Sequence, residues 1–65
     1  MEYKLFVLPR TSGWEQKWSA GSVQQVKVHA DEYYPRLACQ VRDANDLVVA
    51  YRTDAGSWKQ KQAQL

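Results

Sequence analysis

Few side chains in this chain are suited to covalent chemistry. Cys39 is the only cysteine and His29 the only histidine among 65 residues. Apolar residues alternate around Cys39, which predicts that its thiol lies in the core, where cysteine behaves as a small hydrophobe. His29 falls on the polar side of its predicted strand, so a Cys39–His29 pair would need opposite faces to meet. We therefore expect no nucleophilic catalysis.

Metal and phosphate chemistry are equally unsupported by the sequence. A structural zinc site takes about four Cys or His ligands, and the chain has two such residues in total. Asp31 and Glu32 are adjacent and would point to opposite sides of an extended chain. The three glycines are too far apart to form a phosphate-binding loop. The sequence thus predicts a non-enzymatic protein without a metal or cofactor.

The composition favours binding. Tryptophan, tyrosine and arginine dominate the energetics of protein interfaces, and the chain has three tryptophans and four tyrosines. The first hypothesis is a protein-interaction module that docks on a larger partner. The predicted contact residues are Trp14, Trp18, Trp58, Arg36, Arg42 and Arg52. The competing interpretation is structural, with the tryptophans completing the core and the arginines keeping the sheet soluble.

Two alternative functions stay open. Small β domains bind nucleic acid by pairing a basic face with aromatic side chains on which bases stack. The residues for this alternative are Arg36, Arg42, Arg52, Lys59, Lys61, Tyr34 and Trp58. A net charge of +2 is low for such a role. The other alternative is a structural subunit of a homo-oligomer, with Phe6 and Leu8 against another chain.

A hairpin between residues 36 and 53 is predicted to position the arginines. We expect a loop at Asp43–Asn45, with Asn45 left-handed and Arg42 opposite Asp46. One face would then be apolar, bearing Leu37, Cys39, Val41, Leu47, Val49 and Tyr51. The other face would be exposed to solvent, bearing Arg36, Ala38, Gln40, Arg42, Asp46, Val48, Ala50 and Arg52.

Three further segments complete the prediction. Residues 3–8 alternate as a strand that is apolar on both faces and ends before Pro9. Residues 23–30 are predicted to be a strand because Val26, Val28 and Ala30 alternate with polar residues. For 13–19 a short helical turn and a loop stay open; Ser12 and Glu15 have capping-box spacing, which favours the helix.

The predicted fold is mainly β: a small antiparallel meander sheet or SH3-like barrel of four to five strands. We expect one domain at 1–58 and a frayed, basic tail at 59–65. A core this small is marginal, which favours a homodimer. The longest apolar run is far short of a membrane span, and the lone cysteine suits a reducing compartment, so we expect a cytoplasmic protein.

Overall fold

The computed structural model describes residues 2–11, 13–53 and 57–60. These residues form one helix and five strands: β1 Tyr3–Leu8, β2 Glu15–Ala20, α1 Val23–Tyr33, β3 Ala38–Arg42, β4 Val48–Arg52 and β5 Lys59–Gln60. The strands make a single antiparallel sheet in the order β2-β1-β3-β4-β5. The mainly β, antiparallel prediction is confirmed.

Strand β1 matches its prediction closely. It ends at Leu8, directly before Pro9, and lies between β2 and β3. Leu5 and Val7 are fully buried on the face that α1 covers. Phe6, on the opposite face, is only half-buried. The two apolar faces of β1 therefore mark an internal strand that is covered on one side by the helix.

The strand predicted at residues 23–30 is wrong, because this segment is the first part of α1. Val26 and Ala30 are buried four residues apart, as they are on one helical face, whereas Val28 is 52% exposed. Ser22 caps the helix, and its Oγ accepts from the Gln25 N–H at 3.2 Å. The β-branched valines favoured a strand, but packing against the sheet overrides that propensity.

The structure also differs from the prediction at residues 13–19, for which a helical turn or a loop was expected. Residues from Glu15 onward form β2, which pairs with β1. Ser12, the predicted cap, lies outside the described residues. Trp18 is opposite Leu5, so it lies on the side of the sheet that α1 covers. The spacing of Trp14 and Trp18 thus does not reflect a helix.

Strands β3 and β4 form the predicted hairpin around a different turn. The Asp43 N–H donates to the Leu47 carbonyl at 2.9 Å, and Asp46 has the positive φ, 66°. The Asp43 carboxylate accepts from the Asn45 and Leu47 N–H groups, which fixes the turn one residue later than predicted. Arg42 then pairs with Val48 rather than with Asp46.

A bulge in the hairpin reverses the predicted faces of β4. Val41 pairs with Ala50 while Arg42 pairs with Val48, so Val49 is the extra residue. One additional residue moves every later side chain to the opposite face. Ala50 and Arg52 consequently point toward the helix, and the predicted inner position of Tyr51 is wrong.

The core lies between α1 and one face of the sheet. Its fully buried apolar residues are Leu5, Val7, Val26, Ala30, Cys39, Val41 and Ala50. The predicted frayed tail is wrong at its start, because Lys59 and Gln60 pair with β4 as strand β5. Residues 61–65 lie outside the described part of the chain. No helix within that part is long and apolar enough to cross a bilayer.

Candidate functional site

The sheet face opposite α1 bears a row of side chains on four adjacent strands. Phe6 is opposite Gln40, Gln40 is opposite Tyr51, and Tyr51 is opposite Lys59. Directly opposed residues share a face, so this row crosses the sheet from β1 to β5. We call this surface the open face; its residues are Lys4, Phe6, Leu8, Ala38, Gln40, Arg42, Val48, Tyr51 and Lys59. They include three cations, two aromatic rings and no carboxylate.

Arg42 lies over an aromatic ring on the open face. Its guanidinium carbon lies 3.9 Å from the centroid of the Phe6 ring. Gln40 Oε1 accepts from Arg42 Nε at 3.1 Å and from Nη2 at 2.9 Å. Nη1 is 3.5 Å from the exposed Asp46 carboxylate, so the predicted contact between these two residues exists across the turn. A half-buried guanidinium plane thus covers the Phe6 ring.

A groove continues the open face at one end of the sheet. Its volume is about 670 Å³. We call it the arginine groove; it is lined by Leu8, Pro9, Arg10, Arg36, Leu37, Ala38 and Thr53. Leu8 and Ala38 pair across β1 and β3, next to the Phe6–Gln40 pair in the same strands. Two exposed arginines therefore border the end of the open face.

Charge is segregated between the two sides of the sheet. The cations on the open face and in the arginine groove are Lys4, Arg10, Arg36, Arg42 and Lys59. Asp31 and Glu32 are on α1, on the opposite side. Of the remaining cations, Lys17 pairs with Glu15 at 2.9 Å. Five of the eight Lys and Arg side chains among the described residues thus lie on the side that the helix leaves uncovered, where the Asp46 carboxylate contacts Arg42.

The expectation that Arg52 is exposed is wrong, since only 4% of it is accessible to solvent. Its Nη1 donates to Asp31 Oδ1 at 2.5 Å. Its Nη2 contacts the Tyr34 carbonyl, the Leu37 carbonyl at 2.9 Å and Cys39 Sγ at 3.2 Å. The bulge at Val49 is the physical reason, because it turns β4 so that Arg52 faces the core.

Trp58 belongs to the same interior cluster. Its Nε1 donates to Asp31 Oδ1 at 2.9 Å, and its ring lies 5.2 Å from the Arg52 guanidinium carbon. The ring is half-buried against the core. Asp31 therefore joins α1 to both β4 and the segment that leads into β5. Arg52 and Trp58, both predicted as partner contacts, fasten the helix to the sheet.

Cys39 is buried, as predicted. Burial raises the pKa of its thiol, while the neighbouring Arg52 acts in the opposite direction. The Sγ donates to the Leu37 carbonyl at 3.4 Å. His29 lies on α1, and its ring stacks on the Trp18 ring.

A second surface lies beside α1 and β2. The Trp18 and His29 rings are stacked with centroids 3.9 Å apart and a 4° angle between planes, and the Tyr33 ring is 4.5 Å from His29. Trp18 is 37% exposed and Tyr33 62%. We call this the aromatic groove, about 390 Å³ in volume; it is lined by Trp18, Gln24, Gln25, Val28, His29, Glu32 and Tyr33.

The other predicted site residues are spread between these regions. Trp14 is partly exposed just before β2. Arg36 lines the arginine groove, and Lys59 lies on the open face. The Tyr34 side chain packs half-buried against the core. Lys61 lies outside the described residues.

Four charged, amide or aromatic residues of the open face and its groove are not among the predicted site residues: Lys4, Arg10, Gln40 and Tyr51, of which Gln40 is predicted on the correct face. Lys4 was detectable, because the alternation of β1 places it on one face with Phe6. Tyr51 was not, because nothing in the sequence marks a bulge at Val49. Because Tyr51 is predicted on the inner face, the sequence does not indicate that its ring is the second aromatic ring of the row.

The fold defines a small protein with one helix packed on a single antiparallel sheet. Within the described residues, no group of three or more His, Cys, Asp or Glu side chains is placed to hold a metal ion. No family model, curated protein or solved structure matches the chain.

Proposed function

We propose that the chain is a non-enzymatic binding protein whose open face binds single-stranded nucleic acid. The observation that supports this most is the row Phe6–Gln40–Tyr51–Lys59 beside Arg42. Unpaired bases stack on aromatic rings or on arginine planes, and lysines and arginines contact the phosphates. The open face combines aromatic rings, an arginine and two lysines on one sheet.

The spacing of the row suits two stacked bases. Neighbouring strands lie about 4.8 Å apart, so Phe6 and Tyr51, two strands apart, are separated by roughly 10 Å. Arg42 covers the Phe6 ring, so the first base would stack on the guanidinium plane and the second on Tyr51. Gln40 lies between them, and its amide can hydrogen-bond to a base edge.

The proposal specifies single strands because a flat sheet face stacks only on bases that are not already stacked in a duplex. The affinity should depend moderately on salt. For single strands, log K falls by about 0.7 per phosphate contact for each tenfold rise in salt. Three to five contacts from the cations of the open face and groove therefore predict a slope of about −2 to −3.5.

Fluorescence anisotropy with a labelled 12-nucleotide single strand tests the proposal. Tyr51→Ala should weaken binding about tenfold or more, since one stacked base is worth about 1–3 kcal/mol. Tyr33→Ala is the matched control, because Tyr33 is exposed on the helix side. The proposal fails if wild-type protein does not bind at low salt, or if both variants lose the same affinity.

Protein docking is a second candidate, supported by the aromatic groove. Trp18, Val28 and Tyr33 expose apolar surface on one side of α1, and such patches mark interaction sites when they are contiguous. Glu32 at the rim would favour a partner segment with an apolar anchor beside a lysine or arginine. Trp14 and Trp18 remain available for this role, whereas Arg52 and Trp58 are committed to the interior.

A photo-cross-linking amino acid at position 33 or 51 distinguishes the two candidates. Protein adducts from position 33, lost on Trp18→Ala, would support docking; nucleic-acid adducts from position 51 would support the first proposal.

A second copy of the chain is one possible docking partner, consistent with the small core. Sedimentation equilibrium would then give twice the monomer mass for wild type and the monomer mass for Trp18→Ala.

A further inference from the structure

The arginine groove has a composition that matches one phosphate-bearing ligand. It presents two guanidinium groups, from Arg10 and Arg36, beside the apolar side chains of Leu8, Pro9 and Leu37. At about 670 Å³ it falls within the range of small-molecule pockets. A phosphate alone would not fill it, but a nucleotide would place its sugar and base against the apolar wall.

Both arginines are exposed to solvent. In the part of the chain that the structure describes, no carboxylate pairs with Arg10 or Arg36, in contrast to the ion pairs of Arg42 and Arg52. Guanidinium groups bind phosphate through two parallel hydrogen bonds. Two of them match the roughly two negative charges of a phosphate monoester, whose second pKa is about 6. A backbone phosphodiester has only one charge to offer.

The groove adjoins the open face directly. Leu8 and Ala38, which line it, are two residues along their strands from Phe6 and Gln40. Two residues of strand span about 6.7 Å. A strand of nucleic acid that stacks on Arg42 and Tyr51 can therefore end with its next nucleotide in the groove.

We propose that the arginine groove binds a nucleotide through its phosphate monoester, namely the phosphorylated end of the single strand that lies on the open face. This inference rests on the proposed function. A free nucleoside monophosphate has the same chemistry, and the experiment separates the two sources.

The test compares an 8-nucleotide strand with a 5′-phosphate, a 3′-phosphate or hydroxyl ends, and adds free nucleoside monophosphate as a competitor. We expect about tenfold tighter binding of one phosphorylated strand than of the hydroxyl-ended strand. Arg36→Ala and Arg10→Ala should abolish this preference and leave the affinity for the hydroxyl-ended strand within about twofold. Lys27→Ala, a cation on the helix side, should preserve the preference.

The possible results distinguish the nucleotide site in the arginine groove from the proposed function of the open face. If all strands bind alike and Arg10→Ala and Arg36→Ala change nothing, the groove assignment is overturned while the open face stands. If no strand binds but free monophosphate does, and Arg36→Ala removes that binding, the groove takes free nucleotide and the proposed function fails. If neither ligand binds, both are overturned. Thermal unfolding of each variant confirms that the exposed arginines are not needed for folding.

Discussion

Arg52 shows how a single buried side chain joins three parts of this small protein. Its guanidinium binds Asp31 on α1 and the Tyr34 and Leu37 carbonyls in the connection that follows the helix. The Tyr34 carbonyl also accepts from the Leu37 N–H, and the Leu37 carbonyl from the Cys39 thiol, both at 3.4 Å, so Arg52 adds a charged donor to each. In a chain whose core contains few large side chains, such a polar contact has a large share of the stability.

Arg52→Ala should lower the free energy of unfolding by about 2–4 kcal/mol. Removal of the guanidinium breaks its charged hydrogen bonds to Asp31 and to the two carbonyls, and a hydrogen bond of a charged group is worth about 1.5–3 kcal/mol. Urea denaturation followed by tryptophan fluorescence measures the loss. Arg36→Ala, which removes an exposed arginine, should change stability by less than about 0.5 kcal/mol. Equal effects of the two substitutions would contradict the interior role of Arg52.

Cys39 should make the stability of the protein fall at alkaline pH. Burial raises the pKa of the thiol in the folded protein above its ordinary value of 9.0. The unfolded chain therefore loses this proton first, and the folded state is favoured fully only below pH 9. As pH rises through 9 and toward the folded pKa, that contribution to the free energy of unfolding is lost.

The comparison of wild type with Cys39→Ala isolates this effect from the tyrosines and lysines that titrate nearby. The free energy of unfolding of wild type should decline more steeply between pH 8.5 and about 10 than that of Cys39→Ala. Parallel curves for the two proteins would show that the thiol has the same proton affinity in both states.

For two elements, α1 and β2, the sequence pattern predicts the wrong secondary structure. Val26 and Val28 suggested a strand because they alternate with polar residues, yet Val23, Val26 and Ala30 have helical spacing as well. Ser22 and Gln25 have the same capping-box spacing as Ser12 and Glu15, and the helix begins at the Ser22 pair. Short segments of this kind are decided by what they pack against.

Ser22→Ala tests the start of α1. The substitution removes the oxygen that accepts from the Gln25 N–H, so we expect a loss of about 1 kcal/mol in the free energy of unfolding. Chemical denaturation gives the value, and Ser57→Ala, at an exposed position, is the control. An unchanged stability in Ser22→Ala would mean that the helix does not depend on this cap.

The elements that could be predicted are those with a local cause. The alternation of β1, the Pro9 stop, the burial of Cys39 and the existence of the β3–β4 hairpin all follow from patterning and turn chemistry. The face of β4 could not be predicted, because a single extra residue at Val49 sets it. The sequence consequently predicts the β3 part of the open face, with Ala38, Gln40 and Arg42, but not the contribution of Tyr51 from β4.

The whole molecule is built on one sheet whose two sides differ. The helix covers one side and places Asp31 and Glu32 there, whereas the other side keeps Phe6, Arg42 and Tyr51 at the surface. A helix on one face only is enough to bury the core of so short a chain. Under the proposed function this second side is the binding surface, and its cations would attract a polyanion.

Two-dimensional ¹⁵N–¹H NMR during titration with an unlabelled 12-nucleotide single strand tests this claim most directly. We expect chemical-shift changes at the amides of Phe6, Gln40 and Tyr51 and at the Arg42 side chain, with His29 and Tyr33 on the helix side unchanged. Changes confined to the aromatic groove, or none at low salt, would contradict the assignment of the open face to nucleic acid.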